Sequence, residues 1–303
     1  MWPSSSFSGS SARPERPAGL SERPNVTQLV MTLLVRDEAD ILRANLDFHL
    51  SRGVDFFIAT DNGSTDGTVE ILEEYEQRGV VKLLHETDDD YAQGRWVTRM
   101  ARMAYEDHGA RWVINNDADE FWWTERGNLC DSLERLPAET NVVVADRFNF
   151  VPLRESERPF YERMIYREVC SLNFQGAPLP PKSCHRGHGD VIVHQGNHSI
   201  SWDQPTVEAE SRPIEILHFP LRTFAQFENK IRLGGAAYER NTELSAGIGR
   251  TWRALYQELK AGRLDEHYEG QRCSAEQLSR GVADGTLVED HRLCHAMERL
   301  AKG

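Results

Sequence analysis

The sequence predicts an α/β fold: a mostly parallel, twisted sheet flanked by helices, followed by a helical C-terminal segment. Three observations predict it. Between residues 28 and 115, short apolar runs alternate with amphipathic stretches across short links, the pattern of βαβ units with right-handed crossovers. The chain is 303 residues long, 39% hydrophobic and 9% aromatic, enough to bury a substantial core. Beyond residue 222 the pattern turns helical.

Residues 1–24 read as a disordered tail, since sixteen of them are Ser, Pro, Gly or Arg. So polar a stretch cannot offset its ordering entropy by burial. The folded domain is expected over 25–222, with 223–303 as a helical extension of it. Gln28–Val35 (QLVMTLLV) is apolar on both faces, as in a fully buried strand. Asp37 is placed to cap the next helix, with Asp40 in its first turn. Leu42, Leu46 and Leu50 form that helix's buried stripe, and Gly53 ends it. Val54–Thr60 is the second strand. A second helix, capped by Asp66, carries Val69, Leu72 and Tyr75 on one face. Val80–His85, a helix over Gly94–His108 and the strand Arg111–Asn115 complete the alternation. Asn141–Ala145 and Val191–His194 are further strands. Phe224–Leu233, Thr251–Lys260, Ala275–Arg280 and Glu289–Lys302 are helical. In parallel sheets of this kind ligands collect beyond the carboxyl ends of the strands. The loops after Val35, Thr60, His85 and Asn115 should therefore share one crevice.

Charge and cysteine usage narrow the function. Lys plus Arg number 35 against 48 Asp plus Glu, a formal charge of −13. That disfavours a nucleic-acid binder, which needs a basic face to neutralise phosphates. No run reaches the ~20 apolar residues that span a bilayer, and the N-terminus lacks the order of a signal peptide. The five scattered cysteines do not read as a disulfide framework. A cytoplasmic protein is the expectation.

Two motifs carry chemistry. Asp61-Asn62-Gly63-Ser64-Thr65-Asp66-Gly67-Thr68 follows the second strand. Turn and capping residues account for part of it, but eight in a row exceed what a short link needs, and a carboxylate there can accept hydrogen bonds from a base or ribose. Asn115-Asn116-Asp117-Ala118-Asp119-Glu120-Phe121 follows the fourth strand. If the backbone stays extended, Asp117 and Asp119 point to one side. Three acids between apolar runs call for a cation, and Mg²⁺ or Mn²⁺ commonly shares its shell with substrate phosphates. Trp122 and Trp123 either pack in the core or stack on a sugar.

The succession LLVRDEAD, DNGSTDGT and NNDADEFWW resembles the family 2-like glycosyltransferases of the GT-A fold, and within them the DUF23-like branch, whose D-x-D is followed by Glu-Phe. The match is good over residues 28–125 and continues more weakly at 195–198 and 218–223. The resemblance implies an inverting, metal-dependent transfer of a sugar, hexosyltransferase-like, from a UDP- or GDP-linked donor to a hydroxyl of a glycan, lipid-linked or small-molecule acceptor. It places Val35, Arg36 and Glu38 at the nucleotide end of the first strand and Asp61 on the base or ribose, with Asn62 and Ser64 in the same loop. Asp117 and Asp119 bind metal and diphosphate, with Mn²⁺ or Mg²⁺ as cofactor. The family's more common Asn-Glu pair appears here as Asp37-Glu38.

Lys182 and Arg222 are either diphosphate-neutralising cations or ordinary solvated charges. Asp203 is the expected general base, with Glu168 as its competitor. His218 ends a short strand before Pro220 and, like His198, is either a further metal ligand or a loop-fixing group. Cys184, His185, His188 and His194 lack the second pair that a zinc knuckle needs. A nucleotidyltransferase, a phosphate-ester hydrolase and a non-catalytic nucleotide- or glycan-binding module are the rival functions. No GxxxxGK[ST] is present, which disfavours P-loop chemistry.

Overall fold

The computed structural model describes residues 28–88, 93–173, 176–241 and 249–302. The expected tail lies outside the described residues. In chain order the elements are β1 (Leu29–Val35), α1 (Ala39–Ser51), β2 (Phe56–Asp61), α2 (Thr68–Gln77), β3 (Val81–His85), α3 (Gln93–Glu106), β4 (Trp112–Asn116), β5 (Glu120–Trp123), α4 (Leu129–Glu134), β6 (Val142–Asn149), α5 (Phe160–Arg163), β7 (Tyr166–Glu168), β8 (Lys182–Arg186), β9 (Ile192–Val193), β10 (Ile200–Ser201), β11 (Glu215–His218), α6 (Phe224–Arg240), α7 (Arg250–Lys260), α8 (Leu264–Gln271), α9 (Ala275–Asp284), β12 (Leu287–Glu289) and α10 (Arg292–Leu300).

The fold is α/β, built on an eight-stranded sheet of order β3-β2-β1-β4-β8-β6-β11-β5. The first four strands are parallel. Beyond them β8 runs antiparallel to both β4 and β6, β11 is parallel to β6, and β5 is antiparallel to β11. β1 is central, which explains its unbroken apolar run. Leu29, Met31, Leu33 and Val35 face one core layer with Leu42 and Leu46 of α1 and Leu72 of α2. Val30 faces the other with Val97, Met100 and Ala101 of α3. Leu221, Phe227, Ile231, Leu255, Leu264 and Tyr268 make a third, smaller core among α6, α7 and α8.

The sheet is curled, and chain length shows why. β4 and β5 are consecutive in sequence yet four places apart in the sheet. Laid flat, four strand spacings of about 4.8 Å span roughly 19 Å. The four residue steps from Asn116 to Glu120 reach at most about 14 Å. The far edge must therefore bend back, and Lys182 of β8 meets Glu120 of β5 at 3.3 Å.

Two capping expectations are corrected. Asp37 does not cap α1: the N-cap is Glu38, without a side-chain bond. Asp37 instead adopts φ 53°, and its Oδ1 accepts from the Thr65 amide at 2.7 Å. Asp66 does not cap α2, whose N-cap is Gly67 in the left-handed region. Asp66 accepts from Thr68 and from the Ala39 amide instead. Both aspartates are drawn away by the neighbouring loop. Strand pairing also places Leu287–Glu289 against β7, so the helix expected from Glu289 starts at Arg292 instead.

Candidate active site

The loops at the carboxyl ends of β1, β2 and β3 are joined by the polar residues of the DNGSTDGT segment. Ser64 Oγ accepts from the Asp37 amide and Thr68 Oγ1 from the Glu38 amide, each at 2.9 Å. Asn62 donates through Nδ2 to the carbonyls of Glu86 and Asp88. Asp61 is buried, and its carboxylate accepts from the Gly63 amide at 3.0 Å and the Ser64 amide at 3.3 Å. Eight turn-type residues are thus used to hold three loops together. Val35 is buried beside Asp61, its partner in the β1–β2 register, and Arg36 follows it, half-buried.

Asp117, Ala118 and Asp119 form a turn, not an extended strand end, closed by the Glu120 amide donating to the Asp117 carbonyl. The turn replaces the alternation expected from sequence, because β5 must leave for the opposite sheet edge. It is fixed from α1: Asn45 Nδ2 donates to the carbonyls of Ala118 and Glu120, both at 2.9 Å. His49 Nε2 accepts the Trp122 amide at 3.1 Å while Nδ1 meets the Asn45 carbonyl. Burial outweighs the Asn45 contact and pushes the His49 pKa down to about 3. Trp122 and Trp123 are buried, so they pack and do not present a sugar-stacking face.

Each acid of the turn meets a cation from another element. Asp117 accepts from Lys182 Nζ at 2.5 Å and Asn197 Nδ2 at 3.0 Å. Glu120 faces Arg147 at 3.1 Å as well as Lys182. Asp119 accepts from Lys230 Nζ of α6 at 2.7 Å. Burial alone would raise the Asp119 pKa, but Lys230, His218 and Arg222 hold it well below the usual carboxylate range. Arg222 is buried and grips Glu38 at 2.6 Å and Asp40 at 2.7 Å. Burial outweighs Arg222 and Lys230 at Glu38, whose pKa is raised. Arg222 and Lys182 are therefore buried counter-ions within the fold, not solvated charges.

Five carboxylates (Glu38, Asp40, Asp117, Asp119 and Glu120) stand against four cations (Arg147, Lys182, Arg222 and Lys230). The surplus is negative and suits a further cation. His218 Nε2 lies 3.7 Å from Asp119 Oδ1, and its Nδ1 is held by Asn149 Oδ1 at 2.7 Å. The Asn149 oxygen accepts from Nδ1 and fixes the ring with Nε2 toward Asp119. Carboxylates and imidazole are donor types that Mn²⁺ or Mg²⁺ accept, but among the described residues only His188, Asp190 and Asp203 bring three ligand atoms within 4.8 Å of one another. His198 is different. Its Nδ1 bonds the Pro181 carbonyl, and its Nε2 packs where a Cβ on Gly196 would stand, 2.7 Å away. Burial, then Lys182 and Arg147, push its pKa down to about 4.

The two base candidates part company. Asp203 is exposed and groups with His188 and Asp190, whose ligand-type atoms lie within 4.8 Å of one another. Trp202 beside it packs edge-on to His185 and His188, and His185 pairs with Val113 near the start of β4. Asp203 is therefore at the other end of β4 from Asp117. Glu168 faces Ser171 and Asn149, the residue that holds His218, and its Oε2 is buried without a hydrogen-bond partner. Burial raises the Glu168 pKa.

Sequence reasoning missed Lys230, Arg147, Asn45, His49 and Asn149. Their partners lie between 27 and 111 residues away for all but one of these contacts, so no local spacing marked them.

No curated protein matches the chain. Among solved structures it is similar to S. aureus TarS 1-349, at 12% identity and TM-score 0.43, over 80% of this chain and 72% of that one. TarS 1-349 in complex with UDP gives 13% and 0.40 over 80% and 72%. TarS 1-349 in complex with UDP-GlcNAc gives 12% and 0.42 over 78% and 73%. The family model of glycosyl transferase family 2 matches residues 35–181, the stretch that holds Glu38, Asp61, Asp117, Asp119 and Glu168 but ends before His218 and Lys230.

Proposed function

We propose that this protein is a metal-dependent, inverting glycosyltransferase of the DUF23-like branch, hexosyltransferase-like, acting in the cytoplasm. It moves a sugar from a UDP- or GDP-linked donor to a hydroxyl of a glycan, lipid-linked or small-molecule acceptor. The observation that carries the reading is the Asp117–Asp119 turn at the carboxyl end of β4, fixed by Asn45 beside the Asp61 loop. The likeness of residues 35–181 to glycosyl transferase family 2 supports it.

Asp117, Asp119 and His218 would hold Mn²⁺ or Mg²⁺, which when bound neutralises charge on the leaving diphosphate. Val35, Arg36, Glu38, Asp61, Asn62 and Ser64 form the nucleotide wall, and Lys182 orients Asp117. Glu168 replaces Asp203 as the base. Its unpartnered Oε2 takes the proton of the acceptor hydroxyl as that oxygen attacks the anomeric carbon, and the bond from that carbon to the phosphate oxygen breaks to release the nucleoside diphosphate. A raised carboxylate pKa suits this proton transfer near neutral pH.

The test is a panel of UDP- and GDP-sugars followed by thermal shift with and without Mn²⁺, then by nucleoside diphosphate release with acceptor present. A ligand that binds only the native state raises stability in proportion to RT ln(1 + [L]/Kd). Metal-dependent stabilisation by one donor class, and release lost in Asp119→Asn and Glu168→Gln, is the expected result. Release unaffected by Asp119→Asn refutes the metal assignment, and pyrophosphate in place of nucleoside diphosphate would make the protein a nucleotidyltransferase.

A further inference from the structure

Lys230 stands on Oδ2 of Asp119, the carboxylate whose Oδ1 faces His218. Its Nζ is 2.7 Å from Asp119 Oδ2 and 3.9 Å from Glu38. A metal bound to the same carboxylate lies about 2.0–2.6 Å from its oxygen. An ammonium on one oxygen of Asp119 and a divalent ion on the other repel strongly.

The other cations of the cluster are locked. The side chains of Lys182 and Arg222 are 1% and 0% exposed, and Arg147 is 9% exposed, while Lys230 keeps 27%. Lys230 also has the shape for movement: a point charge on a four-carbon stem with three donors, able to change partner without the geometric demands of a guanidinium. Beside it on α6, Asn229 Nδ2 donates to Asp37 Oδ2 at 2.8 Å, so the helix that carries Lys230 is pinned to the loop after β1. The ammonium can thus swing while its helix stays in place.

We propose that Lys230 is a resident stand-in for the metal: it holds the cation position on Asp119 in the empty site and moves to the diphosphate of the donor when a divalent ion takes that carboxylate. The inference rests on the glycosyltransferase reading and adds a residue beyond the D-x-D that couples the ion to the diphosphate. The hand-over conserves the local balance. The arriving ion replaces one positive charge on Asp119, and the displaced ammonium meets the negative charge that arrives with the nucleotide.

The experiment measures two affinities by calorimetry on the full chain: Mn²⁺ alone, and UDP or GDP at saturating Mn²⁺. Asp119→Asn defines which Mn²⁺ signal belongs to the site. Lys230→Met should bind Mn²⁺ about tenfold tighter, the factor that one partly buried ion pair commands. It should bind the preferred nucleoside diphosphate about tenfold more weakly, by the same arithmetic. Lys230→Arg, which grips Asp119 with two donors, should shift Mn²⁺ the other way and serves also if the methionine variant fails to fold. A Lys230 that is only a structural pair predicts Mn²⁺ affinity unchanged or reduced in Lys230→Met, and either outcome overturns the proposal. Unchanged nucleotide affinity overturns the hand-over to the diphosphate. If wild-type protein binds neither UDP nor GDP with or without Mn²⁺, the glycosyltransferase reading itself fails, a result distinct from both.

Discussion

Asn45→Leu should loosen the catalytic turn from behind without touching any acid. Both hydrogens of the Asn45 amide are used, on the carbonyls of Ala118 and Glu120. The site is buried, so water does not replace them freely. After substitution Glu120 O keeps Asn116 Nδ2 at 3.2 Å, whereas Ala118 O loses the side-chain donor described here. One stranded buried acceptor costs about 1–3 kcal/mol, and the second lost bond adds about 0.5–1.5 kcal/mol. A total near 2–4 kcal/mol lowers Tm by roughly 4–16 °C in a domain of this size. Chemical denaturation gives the stability, and nucleoside diphosphate affinity in Mn²⁺ reports the turn. The expected result is a loss in both, with the affinity loss persisting well below the transition. A variant within about 0.5 kcal/mol of wild type, the usual range for surface substitutions, with unchanged affinity would show that Asn45 does not hold the turn.

Two further outcomes are expected. His49 is held near pKa 3, below its unfolded value of 6.5, so the unfolded chain takes the proton first and stability is lost as pH falls below 6.5. At pH 5 that amounts to about 2 kcal/mol. His49→Gln, which can keep both hydrogen bonds without titrating, should flatten the stability–pH slope between pH 6.5 and 5, and an unaltered slope would contradict this account. Asp61→Ala should weaken nucleotide binding about tenfold while leaving kcat at saturation close to wild type, because a base or ribose contact is alike in ground and transition states. A fall in kcat at constant KM would point instead to the loop amides of Gly63 and Ser64 acting on the chemistry.

The half of the sheet that was legible in the sequence is the half built from local βα units. β1 to β4 and the helices between them follow from apolar runs and glycine stops within a residue or two. Lys182–Arg186 (KSCHR) escaped notice because its first residue is buried as an ion-pair partner of Asp117 and Glu120, which no alternation of apolar residues reveals. Glu120–Trp123 were not legible as a strand, since nothing in four residues says that they form the far edge of the sheet. The D-x-D acids and Asp61 were visible from residue type and position. Their counter-ions were not: Arg222 reaches Glu38 across 184 residues, and Lys230 reaches Asp119 across 111. Asp203 is a base candidate by its position in the sequence only, and β4's direction puts it at the wrong end.

The pinning of the β1 loop by α6 also dictates when the site can exist during synthesis. Asp37 and Asn229 are 192 residues apart, a separation that takes roughly 10–40 s to translate at about 5–20 residues per second. The βα units from β1 to β4 contain mostly short-range contacts and can pair while the rest is still being made. During that interval Glu38, Asp40 and Asp119 await Arg222 and Lys230, and their charges remain hydrated. The nascent N-terminal half is thus a sheet with an acidic, open end, kept from closing by its own repulsion until the late helix delivers the neutralising charges. The cluster of acids and cations therefore closes only after α6 has been made.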